Sequence, residues 1–221
     1  MTIKGIIYDF DGVIADSEVL ANLVLAEAVS SLGLPTTLEE SIARYMGKRW
    51  GEVVAAVEAG TGLRLPEAFL AELKRATLAR FREALQPVPG AMEFITRYAA
   101  LPRCIASSSS AERLQVCIDV LALENHFPDA VFSADLVPRG KPHPDIFLYS
   151  ADRIGVATAH CLVIEDSPNG VRAGVAAGMC VVGLCAGGHA RDGHAGRLRD
   201  AGAEHVFERW PDVAAFLESR L

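Results

Sequence analysis

Absent from this 221-residue chain is any apolar run long enough to span a bilayer. Its longest stretch without an acidic or basic residue, Ala173 to Gly188, is broken by Gly174, Gly178 and Gly183. It reads as a helix end followed by a buried strand. The apolar segment between Lys4 and Asp9 is too short for a secretory signal. Basic residues are in deficit: 21 Lys and Arg stand against 28 Asp and Glu, a net charge of -7. Phosphate-rich polymers are bound through basic faces, so neither nucleic acid nor a membrane is expected as partner. Small anionic ligands remain open, because a local cation or metal reverses the sign inside a cleft. Cysteine is sparse as well, with five residues and no Cys-x-x-Cys pair. Cys104, Cys161 and Cys180 open apolar runs, so reduced, packed thiols and a cytoplasmic location are expected.

What the chain does have is enough apolar material for a core, 51% hydrophobic residues against 22% charged. Short strand-like runs occur at Gly5 to Tyr8, Arg103 to Ala106, Ala130 to Ser133, Cys161 to Ile164, Cys180 to Leu184 and His205 to Phe207. Helical patterns separate them, one opening at Pro144 and another at Ser167-Pro168. Alternation of this kind predicts an α/β fold with a doubly wound parallel sheet, Rossmann-like in architecture. The interval after the first strand breaks the pattern. It reads as helices only, over Ser17 to Leu32, Leu38 to Tyr45, Trp50 to Ala59 and Pro66 to Leu85. Roughly seventy residues without a strand exceed any crossover helix and predict an inserted helical cap subdomain. The expected division is 1–15 with 87–221 as core and 16–86 as cap, Gln86-Pro87-Val88-Pro89-Gly90 being the return hinge. Such an insertion is expected to act as a lid.

Chemically useful residues sit at successive strand ends. Asp9 and Asp11 follow the first strand, and two residues apart in extended chain point the same way. Converging carboxylates repel unless a proton or cation intervenes. A hard divalent ion such as Mg²⁺ relieves that repulsion and completes its shell with a substrate phosphate. Ser107-Ser108-Ser109-Ser110 lies between a strand and a helical pattern, where hydroxyls and backbone N–H groups make an anion site or simply a helix cap. Arg139-Gly140-Lys141-Pro142-His143-Pro144-Asp145 presents one lysine on a stiff loop. Glu165 and Asp166 emerge from a buried strand ahead of a capped helix.

In this order the segments Asp9-Phe10-Asp11-Gly12-Val13, Ser107, Lys141 and Glu165-Asp166 resemble the four motifs of the haloacid dehalogenase-like hydrolases. The longer strings Asp16-Ser17-Glu18, Gly140 to Asp145 and Glu165-Asp166-Ser167-Pro168-Asn169-Gly170 are similar to its helical-cap branch of small-metabolite phosphatases and β-phosphoglucomutases. The resemblance implies that Asp9 attacks a phosphoryl group and that Asp11 is the general acid and then the base. It implies Mg²⁺ held by Asp9, the Asp11 backbone carbonyl and Asp166, with Glu165 in support. Ser107 and Lys141 would hold phosphoryl oxygens, with Ser108 and Ser109 beside them. In related caps a loop near Gly47-Lys48-Arg49-Trp50 faces the active site. Lys48 and Arg49 are therefore candidates for reading a substrate hydroxyl or carboxylate, the alternative being two solvated cations at a helix start.

An aspartate at position 11 favours phosphate esters over carbon–halogen or carbon–phosphorus bonds, since an alkoxide must be protonated as it leaves. The expectation is a monomeric, Mg²⁺-dependent phosphomonoesterase acting on a small phosphorylated metabolite, a sugar phosphate or sugar-acid phosphate. Two alternatives stand beside it. A β-phosphoglucomutase-like mutase is disfavoured because Glu18-Val19-Leu20-Ala21-Asn22, after Asp16-Ser17, lacks that group's histidine. A non-catalytic phospho-receiver also pairs carboxylates with a lysine, but the insertion and Asp11 favour an enzyme. His189 and His194, in the glycine-rich segment after the fifth strand-like run, receive no role.

Overall fold

A computed structural model describes residues 2–46 and 50–221. The chain divides into two compact units, Met1–Asp16 with Gln86–Leu221 and the inserted Ser17–Leu85.

The first unit is built on six parallel strands: β1 (Gly5–Tyr8), β2 (Arg103–Ser107), β3 (Val131–Ser133), β4 (Cys161–Glu165), β5 (Cys180–Leu184) and β6 (His205–Phe207), in the order β3-β2-β1-β4-β5-β6. Gly5 to Tyr8 and Cys161 to Glu165 are wholly buried. That is why these runs are almost continuously apolar and not alternating, as a parallel sheet covered on both faces demands. Each large side chain at 0% exposure, Ile6, Ile7 and Leu162 among them, contributes about 1.5–3 kcal/mol of burial free energy. One buried cluster contains Ile7, Val163, Val181, Phe147 and Val171. Tyr8 meets Phe94, Phe127 and Trp210 in a separate aromatic group, with ring centroids 5.7–6.2 Å apart.

The strand order reverses direction between β1 and β4, and ligands of open α/β sheets bind beyond the carboxyl ends at such a point. Tyr8 lies opposite Ile164 on one side and Ile105 on the other. The loops leaving β2, β1 and β4 therefore emerge side by side. The Asp9 N–H still donates to the Ile164 carbonyl at 2.9 Å, so Asp9 extends the ladder by one residue. The chain then turns tightly, with Ile14 and Ala15 both donating to the Phe10 carbonyl and Gly12 at φ 80°.

The inserted unit is helical: α1 (Ser17–Ser31), α2 (Leu38–Tyr45), α3 (Trp50–Thr61) and α4 (Glu67–Ala84). It has its own core of Val24, Val29, Tyr45, Val53, Val57 and Leu73. A capping box starts α2, where Thr37 Oγ1 accepts from the Glu40 N–H and Glu40 Oε2 accepts from the Thr37 N–H. Helices of the first unit include α5 (Ala91–Arg97), α6 (Ala111–Leu121), α7 (Asp145–Arg153), α8 (Pro168–Ala176), α9 (His194–Asp200) and α10 (Trp210–Glu218). Among the described residues no helix is long and apolar enough to cross a membrane.

Candidate active site

Asp9 is 7% exposed, and its Oδ1 lies 2.6 Å from the ammonium of Lys141. That ammonium also donates to Glu165 Oε1 at 2.7 Å and to the Ala106 carbonyl at 3.0 Å, so all three of its N–H groups are used. Its charge sits 4.9 Å from the centre of the Phe147 ring. Glu165 turns its other oxygen onto the start of α8, accepting from the N–H and hydroxyl of Ser167 at 2.8 and 2.9 Å. Ser167 in turn caps α8 by accepting from the Gly170 N–H at 3.0 Å. This bend needs a glycine, because a Cβ at position 170 would stand 1.5 Å from Glu165 Oε1.

Asp9, Glu165 and Asp166 are all buried, and each offers an oxygen within 4.8 Å of the others. One ammonium pairs with two of these carboxylates, Asp9 and Glu165, while the third, Asp166, meets His189. Burial, and after it the charge of Glu165, pushes the Asp9 carboxyl well above the usual carboxylate range, with Lys141 opposing. Burial likewise raises Glu165. Burial acts against the Lys141 charge too, but Asp9 and Glu165 outweigh it and hold the ammonium above the ordinary lysine value. The raised carboxyls mark three acids crowded where one ammonium cannot balance them all, the condition a divalent cation relieves. The cluster's all-oxygen donor set suits a hard ion.

Asp11 points elsewhere. Its Oδ2 accepts from Ser109 Oγ at 2.6 Å and Ser107 Oγ at 3.4 Å, while its Oδ1 meets Arg113 Nη2 at 2.6 Å. Ser107 is fully buried and also accepts from the Ser109 N–H at 3.0 Å. The loop is braced from β3, because Ser133 Oγ donates to the Ser109 carbonyl at 2.7 Å. Ser108 is exposed. Lys48 and Arg49 lie outside the described residues.

Three further residues at this edge carry no sequence motif that assigns them a role. Arg113 sits in the first turn of α6, and its only signal is the single-turn spacing from Ser109. His189 Nε2 lies 2.9 Å from Asp166 Oδ2, and His194 Nε2 lies 2.6 Å from the Asp166 carbonyl oxygen. Their one signal in the sequence is the glycine-rich segment at the carboxyl end of β5, next to β4.

A family described as haloacid dehalogenase-like hydrolase matches residues 3–178. Over 188 residues the chain is 29% identical to 6-phosphogluconate phosphatase of Escherichia coli, covering 85% of each protein. It is 30% identical over 178 residues to the fructose-1-phosphate phosphatase YqaB of the same species, covering 80% of this chain and 94% of that one. A HAD-family hydrolase from Deinococcus radiodurans, solved with bound phosphate and sodium, aligns at a TM-score of 0.85 and 30% identity. That alignment covers 99% of this chain and 96% of the other. The motif order, the parallel sheet with its helical insertion and these similarities agree: the chain belongs to the haloacid dehalogenase-like hydrolase family.

Proposed function

We propose that this phosphatase hydrolyses small phosphorylated metabolites, sugar phosphates or sugar-acid phosphates, by way of a phosphorylated Asp9 and with Mg²⁺ as cofactor. The observation that carries the reading is the buried Asp9–Lys141–Glu165–Asp166 cluster beside Asp11 at the strand-order reversal. Asp9, Asp166 and the Asp11 backbone carbonyl would hold the ion, with Glu165 in support. When bound, Mg²⁺ neutralises charge between the carboxylates and the phosphoryl oxygens.

The chain's own residues do the rest. An Asp9 oxygen attacks phosphorus while the bond to the leaving oxygen breaks, and protonated Asp11 supplies that oxygen with its proton. Asp11, now a carboxylate, takes a proton from water. The water oxygen bonds to phosphorus, the Asp9–phosphorus bond breaks, and the Asp9 carboxylate returns. Ser107 and Lys141 steady the phosphoryl oxygens, where positioning and electrostatics carry most of the acceleration. Ser109 and Arg113 aim Asp11. The substrate class rests on the names of the two E. coli relatives. The five free thiols, four of them buried, favour a reducing compartment, the cytoplasm.

The test is phosphate release from a panel of phosphorylated metabolites, with Mg²⁺ and with the metal chelated. Metal-dependent release concentrated on sugar or sugar-acid phosphates is expected. Release from no compound, with either isomerisation of a sugar phosphate or a lasting phosphoprotein, would replace this reading with a mutase or a receiver.

A further inference from the structure

His189 is a buried histidine with no part in the steps above, and its surroundings are shaped to hold it. Its side chain is 3% exposed, with Nε2 2.9 Å from Asp166 Oδ2. Two glycines clear its place. A Cβ on Gly187 would stand 2.8 Å from the imidazole Cε1 and Nδ1 and 2.9 Å from the Gly12 carbonyl oxygen. A Cβ on Gly12 would stand 2.5 Å from the same Cε1 and 2.0 Å from Asp166 Oδ2. Contacts this close cannot be relieved by a rotamer change on the histidine alone, because backbone lies on the other side. The loop is pinned as well, for the Gly188 N–H donates to Asp16 Oδ1 at 3.0 Å and Ala190 closes a turn onto the Gly187 carbonyl.

A second histidine grips the same residue from the main chain. His194, at the start of α9, places Nε2 2.6 Å from the Asp166 carbonyl oxygen. A carbonyl only accepts, so Nε2 carries the hydrogen. Nδ1 is then the acceptor for Arg197 Nη2, 3.0 Å away. The two imidazoles meet edge to face with centroids 5.5 Å apart. Asp166 is therefore held at its carboxylate by one ring and at its carbonyl by the other. Glu165, its neighbour, is held by Lys141 and Ser167.

We propose that His189, backed by His194, is a positioning residue for the divalent-cation site, and that it acts by fixing the Asp166 carboxylate. The inference rests on the reading that Asp9 and Asp166 hold the ion. The Nε2–H of His189 occupies Oδ2 and leaves the other oxygen to the cation. It also stops a carboxylate in a crowded acidic cluster from swinging toward solvent. Groups that orient a metal-binding carboxylate in this way typically account for about 10–100-fold of metal affinity.

The experiment is Mn²⁺ binding to the full chain without substrate, followed by the electron paramagnetic resonance of free Mn²⁺, for the parent, His189→Ala, His189→Gln and Asp166→Asn. His189→Ala is expected to raise the Kd by about 10–100-fold. His189→Gln, whose amide N–H reaches the same place, is expected to stay close to the parent and to remain informative if the alanine variant folds poorly. Asp166→Asn is expected to weaken binding most. Parent-like affinity in a folded His189→Ala would overturn the inference, and with weak binding by Asp166→Asn it would leave the metal reading standing. Parent-like affinity in Asp166→Asn, or no binding by the parent, would overturn both.

Discussion

Lys141 and its two carboxylate partners show how a single residue sets the terms for this site. With a side chain only 4% exposed, Lys141 is the cation that lets Asp9 and Glu165 share a dry pocket. Removing one partner of a buried ion pair strands the other, which typically costs about 3–5 kcal/mol. Lys141→Met is therefore expected to lower the stability of the metal-free protein by roughly that amount in denaturant titrations at neutral pH; an unchanged midpoint would contradict it. Asp9→Asn preserves shape and hydrogen bonding but not nucleophilicity, so turnover should fall by about 10⁴-fold or more while the fold persists. The cysteines make a separate prediction. Burial pushes Cys117 and Cys180 up to about 12, and Cys161 and Cys185 up to about 11. Their folded pKa values exceed the unfolded one, so the stability they contribute is full below about pH 8.5 and is lost as pH rises toward 11–12. A melting temperature that declines over this alkaline range, with thiol labelling at pH 8 at least about 100-fold slower than for free cysteine, would bear this out. Rapid labelling of the native protein would contradict it.

At the scale of elements, the site is a set of turns at strand ends, two of them closed by serine caps, Ser110 on α6 and Ser167 on α8. Ser167 caps α8 and simultaneously anchors Glu165. Ser167→Ala is accordingly expected to cost about 1–2 kcal/mol, because the same hydroxyl caps the helix and holds Glu165. Gly170→Ala would drive a methyl group into the Glu165 carboxylate. It should cost about 1–3 kcal/mol as overpacking and lower activity together with stability, both read on one purified variant. These elements were legible for a physical reason. Strands buried on both faces must be continuously apolar, and their carboxyl ends show as abrupt changes to Asp, Ser or Glu. Boundaries moved by a residue or two where caps decide them: Glu165 belongs to β4 and Ser107 to β2, one residue beyond the expected ends. The helix after the lysine loop starts at Asp145, with Pro144 as its cap.

For the whole molecule, the sheet order brings residues far apart in sequence to one edge, and legibility falls with the number of such steps. Asp9, Lys141, Glu165 and Asp166 stand within a few residues of a strand end or on a stiff loop, so a list of strand ends already groups them. Arg113 and His189 do not. Arg113 reaches Asp11 only because the turn after Ser107 sets the rotation of α6. His189 reaches Asp166 only because β5 lies beside β4 and glycines at 12 and 187 leave room. Neither condition is written in local spacing. Under the proposed mechanism the Asp9 carboxylate itself takes the phosphoryl group. This is tested most directly by quenching the enzyme in acid during turnover of a sugar phosphate and locating the phosphoryl mass by peptide mapping. A transient adduct on Asp9 is expected, and it should disappear in Asp9→Asn together with turnover. Full turnover by Asp9→Asn, or a phosphoryl group mapped to another side chain, would contradict it.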